Sequence, residues 1–137
     1  MEMFNVFIGE WTTEATHPAF PSTVVRGHAA FEWLEGEKFL IQRAGNDHPD
    51  FPDSIAVIGE VEGRTAMYYF DSRGVHRVYE MSVSDGVWKL WRDEPGFSQR
   101  FAGAFDEGRN EISGTWQLSR DDSTWADDLE ITFRRSR

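Results

Sequence analysis

From Phe31 to Thr132 the chain alternates apolar and polar residues, and Gly- or Asp-containing turns break the alternation at hairpin-like intervals. Successive side chains of a strand point to opposite faces, so a period of two demands half-buried strands. Strands with connections this short pair with their chain neighbours in antiparallel fashion. The expected fold is therefore all-β: about ten antiparallel strands in up-and-down order, closed into a β-barrel. Closure removes the edges that an open sheet of that size would expose.

A short amino-terminal helical turn, carrying Phe4, Phe7 and Ile8, is expected to lie against one end of the barrel. Strands are expected at 9–17, 23–34, 38–44, 54–61, 64–70, 75–83, 87–92, 97–105, 111–118 and 129–134. Pro18 and Pro21 enforce a loop after the first strand, and a polar loop with two prolines runs from Gly45 to Asp53. Glu62-Gly63 and Asp85-Gly86 are two-residue hairpin signals. Residues 1–137 read as one domain, without linker, low-complexity segment or repeat.

A net charge of −10 argues against nucleic acid and against an anionic membrane surface, both of which need a basic footprint. No apolar run is long enough to span a membrane, and the first residues lack the basic and apolar regions of a secretion signal. With no cysteine there is neither disulfide framework nor thiolate chemistry, so a cytoplasmic location is expected.

One alternating set is strongly apolar: Val25, Ala29, Phe31, Trp33, Phe39, Ile41, Ile55, Val57, Met67, Tyr69, Tyr79, Met81, Trp88, Leu90, Phe97, Phe101, Phe105, Ile112, Trp116, Leu129, Ile131 and Phe133. It is expected to face inward, leaving Leu40, Ile58, Tyr68, Phe70 and Trp91 outside. Tyr68, Phe70 and Trp91 then offer an outer apolar patch suited to a partner subunit, as in a homodimer. The inward positions that are not purely apolar are Arg43, Tyr69, Asp71, Arg77, Tyr79, Arg92 and Gln99. In a meander Arg43, Tyr69, Asp71, Arg77, Arg92 and Gln99 fall at one end, which gives an apolar cup with an arginine-rich mouth. Guanidinium groups brought together need anions, supplied either by Asp71 in a purely structural network or by the carboxylate or phosphate of a ligand.

His17, His48 and His76 fall at the same end, but no ligand spacing supports a metal, and no cofactor is expected. Ser72 and Ser98 lack a nucleophile-elbow context, and Gly74, Gly86 and Gly96 are isolated turn residues rather than a phosphate loop. No catalytic residue is identified. Asp71, beside Tyr69, is the one carboxylate placed in the cup.

Gly9-Glu10-Trp11, Phe31-Glu32-Trp33-Leu34-Glu35-Gly36, Phe39-Leu40-Ile41-Gln42-Arg43, Tyr69-Phe70-Asp71-Ser72-Arg73-Gly74-Val75 and Pro95-Gly96-Phe97-Ser98-Gln99-Arg100-Phe101 together resemble an uncharacterised bacterial family of lipocalin-like, calycin-type barrels. The resemblance spans essentially the whole chain. It implies a ten-stranded barrel with a short amino-terminal helix, its Gly-x-Trp element plugging the closed end, and it implies no established activity. The haem-binding nitrobindin group is similar at the Gly-x-Trp start but holds its iron through a late histidine. This sequence has no histidine after His76, so haem is not expected.

Two functions follow. In the first, the cup binds a small, partly apolar, anionic molecule whose acidic group sits among Arg43, Arg77 and Arg92. In the second, an isomerase-, cyclase- or hydrolase-type enzyme acts on such a molecule through Asp71, Tyr69 or His76. A third reading is an interaction module built on the outer aromatics.

Overall fold

The ten strands follow one another around a closed antiparallel barrel, each bonded to its chain neighbours, with the first strand pairing the last. The computed structural model describes residues 2–136. A 3-10 turn, Glu2–Phe7, precedes β1 (Gly9–His17), β2 (Phe20–Trp33), β3 (Phe39–Asn46), β4 (Ser54–Val61) and β5 (Arg64–Asp71). Then come β6 (His76–Ser84), β7 (Val87–Arg92), β8 (Ser98–Phe105), β9 (Glu111–Ser119) and β10 (Ala126–Arg135). Both expected two-residue hairpins form: Glu62-Gly63 and Asp85-Gly86 each put two successive residues at positive φ, the twist that matches the flanking strands. No helix among the described residues is long and apolar enough to cross a membrane.

One end of the barrel is shut by the amino terminus. Phe7 is fully buried there, its ring 5.2 Å from Phe31, 4.9 Å from Trp88 and 5.6 Å from Phe105. Trp11 Nε1 donates to the Phe7 carbonyl at 2.8 Å. The Arg135 guanidinium lies 4.2 Å from the centre of the Trp11 ring and donates to the carbonyls of Ile8 (2.7 Å), Val6 (2.6 Å) and Arg109 (3.0 Å). One cation thus ties the last strand to the plug and meets backbone oxygens that the short 3-10 turn leaves without partners.

The inward set agrees with the sequence pattern on most strands but inverts on β3 and β4. Trp33 pairs with Leu40 and Phe31 with Gln42, so Leu40, Gln42, Ala44 and Asn46 face inward, followed by Ser54, Ala56 and Ile58 on β4. Leu40 and Ile58 are fully buried. Phe39, Ile41, Arg43, Ile55 and Val57, expected inside, lie on the outer face. These two strands are apolar on both faces, and the larger side chains stand outside, so hydrophobicity alone selects the wrong face. Cross-strand register decides it. On the outside the Phe39 ring covers Gly59, where a Cβ would come within 2.5 Å of it.

The inversion shapes the interior. The inner wall of β1 to β4 is built from small residues, Thr13, Ala15, Ala29, Ala44, Ser54 and Ala56, and it faces an aromatic wall of Tyr69, Tyr79, Trp88, Phe101 and Trp116. Gly103 and Gly114 stand opposite each other in that wall because the Phe101 ring occupies the space above both.

If Arg135 anchors the plug, Arg135→Ala strips three carbonyls and one ring of their partner. The expected loss is about 2–3 kcal/mol in urea unfolding. Arg26→Ala, which removes an exposed ion pair to Glu14 on the outer face, is expected to cost less than about 1 kcal/mol. Equal losses would argue against the anchor.

Candidate functional site

The two walls enclose a cup of about 500 Å³, open at the end opposite the plug. Its floor and sides are Met67, Leu90, Phe101, Trp116, Ile131 and Phe133, and its mouth is lined by Asp50, Phe51, Arg73, Arg77, Phe97, Arg120 and Asp128. The small wall leaves the barrel interior open here.

Of the residues singled out in the sequence, Tyr69, Arg77, Tyr79 and Gln99 line this cup together. Asp71 and Arg92 stand at the mouth but are engaged elsewhere, and Arg43 is on the outer face of β3, ion-paired with Glu32. Arg43 was expected to point inward; the register of β2 with β3 places it opposite Ala30, on the outside. His76 also points outward, its ring stacked on Phe70 at 6.5 Å. Among the described residues no three His, Asp or Glu side chains converge. His28, on β2 beside the cup, packs over Gly45.

Asp71 closes the β5–β6 hairpin. Its carboxylate accepts from Tyr69 Oη (2.8 Å), from Arg73 NH2 (2.6 Å) and Nε (3.2 Å), and from the backbone N–H of Arg73 (2.9 Å) and Val75 (3.4 Å). The side chain is fully covered, but only by its own surface turn. The hydrogen bonds from Arg73 hold it well below the usual carboxylate range against the opposing effect of burial. A carboxylate so satisfied is a poor general base. Burial, and then the bond to Asp71, push the Tyr69 hydroxyl well above the ordinary phenol range.

Arg92 donates to the Phe97 carbonyl at 2.9 Å and lies 3.9 Å from Glu94. It fastens the β7–β8 turn and sets the Phe97 ring at the mouth. That ring is flanked by two cations: the guanidinium carbons of Arg77 and Arg120 lie 5.4 and 5.6 Å from its centre. Among the described residues neither arginine has a carboxylate within 4.0 Å, whereas Arg43, Arg73, Arg92 and Arg134 all do. Arg120 belongs to a loop fixed in place: Asp121 Oδ1 accepts from the N–H of Ser123 (3.0 Å) and Thr124 (2.7 Å), and the Gly96 N–H donates to Asp122 at 3.0 Å. Across the mouth, Asp53 and Ser72 exchange bonds of 3.1 and 2.9 Å, which pin the loop carrying Asp50 and Phe51.

Deeper in the cup Tyr79 Oη donates to Gln99 Oε1 at 3.1 Å. Burial raises the Tyr79 hydroxyl above its ordinary value, with nearby Arg77 and Arg92 pulling the other way. Sequence reasoning missed Arg120. Extending the inward series Ile112, Gly114, Trp116 and Leu118 by one more step reaches it.

Because the folded-state pKa of Asp71 is depressed, its stabilisation is present above the ordinary value of 3.8 and is lost as pH falls below it. The wild-type unfolding midpoint is expected to drop more steeply below pH 4 than that of Asp71→Asn, which is less stable at neutral pH and flatter in acid. Parallel acid profiles would contradict this.

No protein-family model matches the chain, and the search of curated proteins finds no relative. Sixteen solved chains match, among them the crystal structure of Rv2717c from M. tuberculosis. It is 13% identical with a TM-score of 0.71, over 99% of this chain and 96% of that one. At that identity the likeness extends to the fold.

Proposed function

We propose that this barrel binds a small, amphipathic organic anion, with the acidic group between Arg77 and Arg120 and the apolar body against the aromatic wall. The observation that carries the reading is the pair of guanidinium groups flanking Phe97 without carboxylate partners, over an open cup of about 500 Å³. An apolar cavity with a few convergent polar groups is the usual form of a small-molecule site. The mouth also carries Asp50 and Asp128, so in a chain of net charge −10 the attraction for an anion is local to Arg77 and Arg120, which have no carboxylate within 4.0 Å among the described residues. The Gly9-Glu10-Trp11 plug and the open far end favour a lipocalin-like, calycin-type carrier, working without metal or cofactor in a reducing, cytoplasmic setting. Catalysis through Asp71 finds no support, because its carboxylate is spent on the hairpin.

A second reading rests on the outer face. With β3 and β4 inverted, Ile41, Val57, Tyr68 and Val78 form one row across four strands, and Ile55 and Phe70 a second. Ile55, Phe70 and Val78 are exposed. A patch this broad suits a second copy of the chain.

Arg77→Ala and Arg120→Ala are each expected to weaken binding of 8-anilinonaphthalene-1-sulfonate about tenfold, or ~1.4 kcal/mol, at unchanged thermal stability. Arg43→Ala is expected to leave it unaltered. Unchanged affinity in both mouth variants would refute the anion site. For the outer face, Phe70→Glu is expected to turn a dimer into a monomer in sedimentation velocity, and a wild-type monomer at high concentration would dispose of that reading.

A further inference from the structure

Gln99 is 7% exposed, and its amide oxygen is already occupied by Tyr79. A primary amide carries two N–H donors. Neither donor of Gln99 has a hydrogen-bond partner among the described residues, and the side chains of its direct cross-strand neighbours, Arg92 and Leu118, carry no acceptor. The side chain lines the cup, and its nitrogen is not among the fully enclosed atoms, so it opens on the cavity. With its oxygen on the Tyr79 hydroxyl, the amide turns its nitrogen to the remaining free space.

The position of this donor relative to the mouth follows from strand geometry. Arg77 precedes Tyr79 by two residues on β6, and Phe97, just before β8, precedes Gln99 by two. The Tyr79–Gln99 pair therefore lies one inward step below the Arg77–Phe97 level, about 7 Å deeper. The surroundings at that depth are apolar, with Trp116 5.5 Å from Tyr79. A hydrocarbon seated there would leave the amide N–H groups dry and unpaired. Sites built to hydrogen-bond a ligand discriminate strongly against an analogue lacking the partner atom.

We propose that the ligand is a compact keto acid, planar enough to lie against the aromatic wall, with its carboxylate at Arg77 and Arg120 and a carbonyl oxygen about 7 Å deeper accepting from Gln99 Nε2. A plain acyl chain is disfavoured. This specificity rests on the anion site proposed above, and Gln99 supplies the discrimination within it.

A matched pair of acids tests it: 9-oxofluorene-2-carboxylate and fluorene-2-carboxylate, which differ only in a carbonyl against a methylene. Their affinities are read by quenching of tryptophan fluorescence. The wild type is expected to prefer the ketone by about tenfold or more. Gln99→Met, which keeps the volume and removes the donor, is expected to bring that preference below twofold, weakening the ketone and, with no N–H left dry, tightening fluorene-2-carboxylate. Arg77→Ala is expected to weaken both acids alike and preserve the preference. Should Gln99→Met not fold, Tyr79→Phe, which lets the amide rotate, is expected to reduce the preference instead. Equal wild-type affinity for the two acids, with Arg77→Ala still weakening both, overturns the keto-acid inference and leaves the anion site standing. A preference that survives in Gln99→Met overturns the role of Gln99. No binding of either acid at millimolar concentration overturns both proposals.

Discussion

The contact of Arg135 with Trp11 and the plug carbonyls is the constraint on which the rest of the molecule depends. A ten-stranded barrel closes where its first and last strands pair, and β1 and β10 run in register from Trp11–Arg135 to Thr16–Glu130. Here the last strand supplies a guanidinium that stacks on the first strand's tryptophan and bonds carbonyls on both sides of the floor. The β1–β10 seam is reinforced outside by Arg134, which reaches Glu14 on β1 and Glu111 on β9. With the floor sealed by Phe7, Trp88 and Phe105, all remaining free volume opens at the opposite end.

Why free volume remains is a matter of side-chain size. Around the cup β1 to β4 contribute mainly small side chains, and the strands opposite contribute most of the rings. Burying rings against rings stabilises the aromatic wall, with Trp88 and Trp116 each about 5 Å from Phe101. Nothing on the small wall reaches across. The mouth then sorts its charges: Arg73 and Arg92 are paired with Asp71 and Glu94, and Arg77 and Arg120 share one phenylalanine ring. Their placement is indirect, since Arg92 positions Phe97 and Asp122 ties the two loops that carry Phe97 and Arg120.

Much of this was legible in the sequence, and each departure has its own physical reason. Period-two alternation and the Glu62-Gly63 and Asp85-Gly86 turns located the strands, and meander topology sent Tyr69, Arg77, Tyr79 and Gln99 to a common cup. Hydrophobicity could not decide which face of β3 and β4 turns inward, because Phe39, Ile41, Ile55 and Val57 outweigh Leu40, Ala44, Ala56 and Ile58. Arg43 was drawn into the expected site by that error. Arg120 was missed because the strand was ended at Leu118, one inward step short. Pairing of charges, as in Asp71 with Arg73, depends on turn geometry that residue type alone does not encode.

The central claim is that the cup, and not the outer face, is where this protein meets its ligand. Titration of the 15N-labelled protein with 9-oxofluorene-2-carboxylate, followed through the side-chain signals of Arg77, Arg120, Gln99 and Trp116, addresses it most directly. Shifts of these four that saturate together, with the Arg43 Nε–H and the amides of Phe70 and Val78 unmoved, are the expected result. Shifts confined to β4 to β6 around Phe70 and Val78 would contradict the account.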